Sequence, residues 1–243
     1  MVEPGGNDFS HQLSAVARSM QEDPGSQHTL ETAIAAALEM ITGCDMAGIS
    51  VVHPDGIDTP AASSETLRRI DELQFALGQG PCLNAVREHE TTRCPDLAHD
   101  DRWPVWGARV SEELGVASSV SYRLYTTRDT PGALNLYSEQ LDGFDADDID
   151  NGLALAAHVA VALAAAQNAE NLTTAITNRT VIGQAEGILM ERFDMSADQA
   201  FEVLRRVSRD GNVKLNAVAA QLVETRRTPN GTGTQGDPLV ATD

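Results

Sequence analysis

Thr180-Val181-Ile182-Gly183-Gln184-Ala185-Glu186-Gly187-Ile188-Leu189-Met190-Glu191-Arg192, followed by Asp194-Met195-Ser196-Ala197-Asp198-Gln199-Ala200-Phe201, runs at helical spacing, stops and starts again. Ile182, Ala185, Ile188 and Leu189 recur three and four residues apart, which puts them on one side of a helix. Ser196 with Gln199 three residues on has the form of a capping box, which opens a second helix. Phe201, Leu204 and Val207 give that helix its apolar side, and Gly211 is placed to close it. Leu215, Val218, Ala219 and Leu222 supply a third. The expectation is a small three-helix all-α domain over residues 170–228, with a core too small to be very stable alone. Residues 229–243 hold too few apolar side chains to fold and are expected to be disordered.

Working back from this bundle, no proline occurs between Ala146 and Pro229. Leu153, Ala156, Ala160, Leu163 and Ala166, then Leu172 and Ile176, approximate a heptad seam of small residues. A long connecting helix over 146–180 is expected, and the seam makes it a dimerisation helix. Before it, residues 26–167 read as a second domain. Thr29 to Ile41 is a helix with Thr29 as N-cap, and Ala47–Val52 and Ile57–Ala62 are strands around the turn His53-Pro54-Asp55-Gly56. Leu67 to Leu77 is a helix ending at Gly78, and Gly78-Gln79-Gly80-Pro81-Cys82 turns into a short helix reaching Glu88. Residues 93–96 are extended, 103–114 helical, and 115–124 and 132–137 strands. Asp145 is the expected N-cap of the long helix. This order predicts an α+β domain, a central antiparallel sheet with helices, joined by the long helix to the bundle. Residues 1–25 are expected to be flexible or to hold a short helix from Asp8 to Met20.

Of 243 residues 42% are hydrophobic but only 4% aromatic, so the core must be built from Leu, Val, Ile and Ala. There is no run of eighteen apolar residues, and the start of the chain, with Glu3 and Asp8, lacks the basic and apolar regions of a signal peptide. Three cysteines, an odd number without a Cys-x-x-Cys pair, argue against a disulfide framework or zinc site and for a reducing compartment. A cytoplasmic protein without a membrane partner is expected. The net charge of −19 disfavours phosphate contacts. Residues 179–228 nevertheless hold eight basic against seven acidic residues, while the rest holds nine against 29.

Candidate side chains are few. Gly78 and Gly80 fit a tight turn better than a phosphate cradle, since no Lys or Ser/Thr follows at the required spacing. Asp96 either accepts from a ligand or caps its loop. His89 and His99 form no cluster with ligand spacing, so no metal is expected. Cys82, just inside a helix start, is either a field-activated thiolate or a small packed hydrophobe.

These motifs carry two resemblances. Gly78-Gln79-Gly80-Pro81-Cys82, Pro95-Asp96-Leu97, Arg102-Trp103-Pro104, Gly115-Val116, Ser118-Ser119, Gly132-Ala133-Leu134-Asn135-Leu136-Tyr137 and Phe144 together resemble a GAF domain over residues 26–167. That family is a small-molecule sensor fold with helices on one side of its sheet and a ligand pocket under the connecting segments. The resemblance implies a pocket near Cys82, Asp96, Trp103 and Asn135 and an effector of unknown identity. The second is to the ANTAR domain, carried by the Ala-x-Gly-x-Leu-Met core at Ala185–Met190 and the Ala-Phe-x-x-Leu-Arg-x-x-Ser run at Ala200–Ser208. That family binds paired RNA hairpins and prevents transcription termination. It implies an RNA face of Gly187, Met190, Arg205, Ser208, Arg209, Asn212 and Lys214, with Glu186 standing where many members are basic. The chain is thus expected to be a bacterial, homodimeric antitermination regulator that binds tandem hairpins in nascent transcripts and has no catalytic step. Two rivals are a redox or ligand-binding enzyme acting through Cys82 and a protein-interaction adaptor. Some GAF proteins reduce free methionine sulfoxide with paired cysteines, but here no cysteine follows Pro95-Asp96-Leu97.

Overall fold

The computed structural model describes residues 4–22, 25–53, 56–88, 91–125 and 132–227, which fall into two compact units, Met1–Glu170 and Asn171–Asp243. The expected disordered segment at 229–243 lies outside the described residues.

The first unit opens with α1 (Pro4–Glu22) and α2 (Ser26–Met40). Helix α2 begins three residues before the expected cap: Gly25 occupies the N-cap position, and Thr29 sits inside the first turn, its hydroxyl donating to the Gly25 carbonyl at 3.1 Å. Strands β1 (Met46–His53) and β2 (Gly56–Ala62) follow, then α3 (Glu65–Leu77), α4 (Pro81–Glu88), β3 (Thr92–Cys94), α5 (Pro104–Leu114), β4 (Ser118–Leu124) and β5 (Gly132–Ser138). The five strands form one antiparallel sheet in the order β2-β1-β5-β4-β3.

Alternation along the strands sends Ala47, Ile49, Val51, Val120, Tyr122, Leu124, Leu134 and Leu136 to one face. There they meet Leu30, Ile34 and Ala37 of α2, and Leu155, Val159 and Leu163 of the long helix α6 (Ala146–Phe193), while Leu13 and Met20 of α1 join the same core. Asp145 caps α6 as expected, accepting from the Asp148 amide at 2.9 Å. The opposite face is covered too. Leu67, Ile70 and Leu73 of α3 and Trp106 and Val110 of α5 pack with Met46 and Tyr137. Helices therefore lie on both sides of the sheet, not on one, because the connecting segments are long enough to bring α3, α4 and α5 across it.

The expected dimer seam needs correction at four positions. Ala156, Ala160 and Leu163 are buried in the unit's own core, and Ala166 is buried as well. Leu153, Leu172 and Ile176 of the expected seam are exposed, and Val161 joins them, each more than half exposed. One stretch of α6 is long and apolar enough to cross a membrane by composition alone. Its inward side, Leu155, Val159 and Leu163, is occupied by packing on the sheet.

In the second unit the last turns of α6 pack with α7 (Ala197–Gly211) and α8 (Leu215–Thr225) around Ala185, Leu189, Ala200, Leu204, Val218, Ala219 and Leu222. Phe201 is only half-buried; Ala200 and Leu204, one turn apart, hold the core positions instead. The capping box at Ser196 forms, with Gln199 Oε1 accepting from the Ser196 amide at 2.8 Å. Gly211 is the last helical residue and does not close α7. Asn212 does so with φ of 49°, a left-handed conformation its short polar side chain tolerates.

Candidate functional site

The sheet face beneath α3 and α4 carries the chemistry of the first unit. Between the apolar positions of β1, β4 and β5 stand Gly48, Ser50, Ser119, Ser121, Asn135 and Tyr137, all buried. Glycine at 48 lets α3 come close: a Cβ there would lie 2.4 Å from Leu67 Cδ2. That approach sets Asp71 and Gln74 of α3 onto the polar strip. Asp71 Oδ2 accepts from Thr59 Oγ1 at 2.5 Å and Ser50 Oγ at 3.2 Å, and Oδ1 accepts from Gln74 Nε2 at 3.4 Å. A relay crosses three strands toward the same carboxylate. Ser121 Oγ donates to Asn135 Oδ1 at 2.8 Å, and Asn135 Nδ2 donates to Ser50 Oγ at 2.9 Å.

Every donor to Asp71 is neutral. Burial pushes its carboxyl up to about 6, and hydrogen bonding from Thr59, Ser50, Tyr137 and Gln74 holds it from rising further. The Tyr137 hydroxyl, also fully buried, faces Asp71 and Gln74, which are within reach of it though not in good hydrogen-bond geometry. Burial, with the fields of Asp71 and Cys82, keeps this phenol firmly protonated. Gln74 Oε1 accepts from the Cys82 amide at 2.9 Å and so ties the start of α4 to α3. The corner between them turns on Gly78 (φ 65°) and Gly80 (φ 138°), and a Cβ at Gly80 would fall 2.0 Å from Gln74 Oε1.

The expected pocket residues divide. Cys82 and Asn135 come together at this cluster, where burial pushes the thiol up to about 12. Cys44 and Cys94 are also buried and pushed up to about 12, chiefly by burial. A thiol at such a value is almost wholly protonated near neutrality and is a poor nucleophile. Trp103 is buried nearby, its indole N–H donating to Asn84 Oδ1 of α4 at 3.1 Å. Asp96 stands apart on the loop after β3, paired with His99 at 2.9 Å. His89 lies outside the described residues. Among the described residues no group of three His, Cys, Asp or Glu is placed to hold a metal. Sequence reasoning missed Ser50, Thr59, Asp71, Gln74 and Tyr137. The signal was present in the alternate serines of β4 and the Asn135-x-Tyr137 pair, which a sheet with one open face would have left in water.

In the second unit the ANTAR-implied residues lie around the bundle. Gly187, in mid-helix, has nothing within 4 Å of where a Cβ would sit, and Gly183 is equally open. Met190, one turn on, is 38% exposed. Arg205 and Arg209 are exposed, one turn apart on α7, and Arg205 is held by Glu202 at 2.6 Å. Ser208 and Asn212 both have tasks in the α7–α8 turn: the Ser208 hydroxyl donates to the Val213 carbonyl at 2.6 Å, and Asn212 supplies the cap. Lys214 is exposed at the start of α8. Arg192, by contrast, donates to the Arg226 carbonyl at the end of α8.

A GAF domain family model matches residues 25–164 and an ANTAR domain model residues 170–223. Among solved structures, the GAF domain of a Coxiella burnetii phosphoenolpyruvate-protein phosphotransferase is 14% identical with a TM-score of 0.54, over 70% of this chain and 99% of that one. The corresponding Acinetobacter domain is 12% identical with a TM-score of 0.52, over 69% and 97%. A free methionine-R-sulfoxide reductase from Neisseria meningitidis is 16% identical with a TM-score of 0.51, over 70% and 96%. Likeness at these identities speaks to the fold alone. No curated protein matches the chain. The chain belongs to the GAF domain family and carries an ANTAR domain behind it, the architecture of a signal-responsive regulator.

Proposed function

We propose that the protein promotes transcription antitermination in the bacterial cytoplasm by binding tandem RNA hairpins through residues 170–228, under control of a small-molecule effector taken up by the GAF domain. The observation that carries this is Gly187. A glycine in mid-helix costs about 1 kcal/mol against alanine, and here no neighbour in the chain requires it, since the space where a Cβ would stand is open. A close approach from outside the chain accounts for it. Met190 beside it offers apolar surface to an unstacked base, and Arg205, Arg209 and Lys214 offer charge to phosphates.

Control passes through α6. Its first turns are seated in the GAF core by Leu155, Val159 and Leu163, and its last turns supply Ala185 and Leu189 to the bundle. A signal that reseats the first part changes the helix on which the second is built. The working form is a homodimer joined along the exposed side of α6, through Leu153, Val161, Leu172 and Ile176. The protein carries out no catalytic step of its own, a reading supported by the three buried, protonated thiols. RNA crosslinked to the protein in cells should be enriched in paired hairpins next to terminators. Recovery of RNA without such hairpins, or of none, would overturn the reading.

A further inference from the structure

We propose that Ser26 and Glu170 form a releasable latch on α6, which extends the seat of that helix on the first unit when closed and frees its outgoing turns when open. The inference rests on the control through α6 proposed above and names the contact at which it acts. Glu170 is the last residue of the first unit and lies 144 positions from Ser26 in the chain. Its Oε1 accepts from the Ser26 amide at 2.8 Å and from the Ser26 hydroxyl at 2.8 Å, and its Oε2 lies 3.0 Å from the same hydroxyl. Ser26 is the first residue of α2 after the Gly25 N-cap, so the carboxylate also meets the positive end of that helix's dipole. The contact is open to water, which can replace either partner when the two separate.

Three features let this contact decide where the seat of α6 ends. The helix is tied near its start by Asp148, 6% exposed, whose carboxylate accepts from the Thr42 amide at 2.9 Å and the Asp145 amide at 3.3 Å. Thr42 follows α2, so α6 is tied at both ends of that helix, by a buried contact at one and an exposed contact at the other. Between the two ties, residues 151–169 carry no Asp, Glu, Lys or Arg, and nine of the nineteen are alanine. Methyl groups make shallow ridges, which resist sliding and rotation less than interlocked long side chains do. The third feature is room. A groove of about 560 Å³ lies between the end of α1, at Ala17 and Met20, and α6 at Ala157, Val161 and Ala165. The outgoing turns therefore have space to move once Glu170 lets go, and a signal that favours one state over the other shifts the balance.

The test is amide hydrogen exchange of the full chain, read over residues 165–176 of α6. Ser26→Pro removes both donors at the first position of a helix, where proline is tolerated, and Gly25 already has the extended conformation that suits a following proline. Glu170→Ala removes the acceptor and leaves a strong helix former in its place. Each change should speed exchange over 165–176 by about three- to tenfold and leave β1, β4 and β5 as they were. The double variant should be no faster than either single one, because both remove the same contact. Hairpin-RNA affinity should shift in the same direction in all three variants. The proposal is overturned if neither change speeds exchange there, if the two effects multiply, or if RNA affinity stays the same while exchange responds. A protein whose α6 responds as expected but binds no RNA keeps the latch and loses the antitermination reading. One that binds RNA while α6 does not respond loses only the latch.

Discussion

Replacing Asp71 with asparagine should make the protein more stable at neutral pH and remove part of its pH dependence. Burial lifts the folded-state value of this carboxyl from 3.8 to about 6. The folded protein therefore holds the proton more tightly than the unfolded chain does. The resulting stabilisation is complete below pH 3.8 and is lost as pH rises through about 6. A difference of about two units corresponds to roughly 3 kcal/mol at pH 7.5, relative to the protonated state. Asparagine cannot ionise, so Asp71→Asn escapes that loss. Part of the gain is offset, because Thr59 Oγ1 and Ser50 Oγ must re-aim from a carboxylate to a single amide oxygen. A net gain of about 1 to 3 kcal/mol at pH 7.5 is expected, shrinking to nothing near pH 4. Urea unfolding followed by circular dichroism at pH 5, 6, 7 and 8 measures it. The other carboxylates titrate in both proteins and cancel in the difference. Equal pH slopes for the two proteins would refute the reasoning, as would a variant less stable at every pH.

Leu163→Glu should unfold the first unit outright, since Leu163 is fully buried in the sheet's helical layer and an unpaired buried charge costs several kcal/mol. Val161→Glu, on the exposed side of the same helix, should instead give a folded monomer by light scattering; a folded dimer would place the subunit contact elsewhere. Native Cys82 should resist thiol reagents at pH 8, and Cys82→Ala should cost about 1 kcal/mol without affecting RNA binding. Gly187→Ala should raise bundle stability by up to about 1 kcal/mol, because the added methyl meets nothing, and yet weaken RNA binding; unchanged binding would leave that glycine without a role.

The bundle was legible because its signals are local. The apolar spacing of Ile182 to Leu189 and the Ser196–Gln199 box predict helices that the structure contains. Gly211 misled because either it or Asn212 satisfies the rule for a left-handed cap, and sequence does not choose between neighbours. The sheet was legible from alternation, but alternation does not say what covers the polar side. Ser50 and Ser121 show no sign of burial until α3 and α4 are seen above them, and only the family resemblance set Asn135 in a pocket. Asp71 was invisible for a related reason: an aspartate on an amphipathic helix is normally on the wet side. Ala156, Ala160 and Leu163 read as an intermolecular seam because a heptad of small residues looks the same whichever surface it packs on.

The central claim is that the bundle binds RNA through the exposed positive side chains of α7 and the turn after it. Titration of a tandem-hairpin RNA with full-length protein over a range of salt concentrations tests it most directly. Arg205→Ala with Arg209→Ala should weaken binding while circular dichroism stays unchanged. Each lost phosphate contact should flatten the plot of log K against log salt by roughly 0.7 to 0.9. Because Arg205 is already held by Glu202 at 2.6 Å, the combined change should fall between about 1 and 2, nearer the lower figure. A double variant that binds as tightly as the parent at every salt concentration, or a parent protein with no affinity for the RNA, would contradict the account.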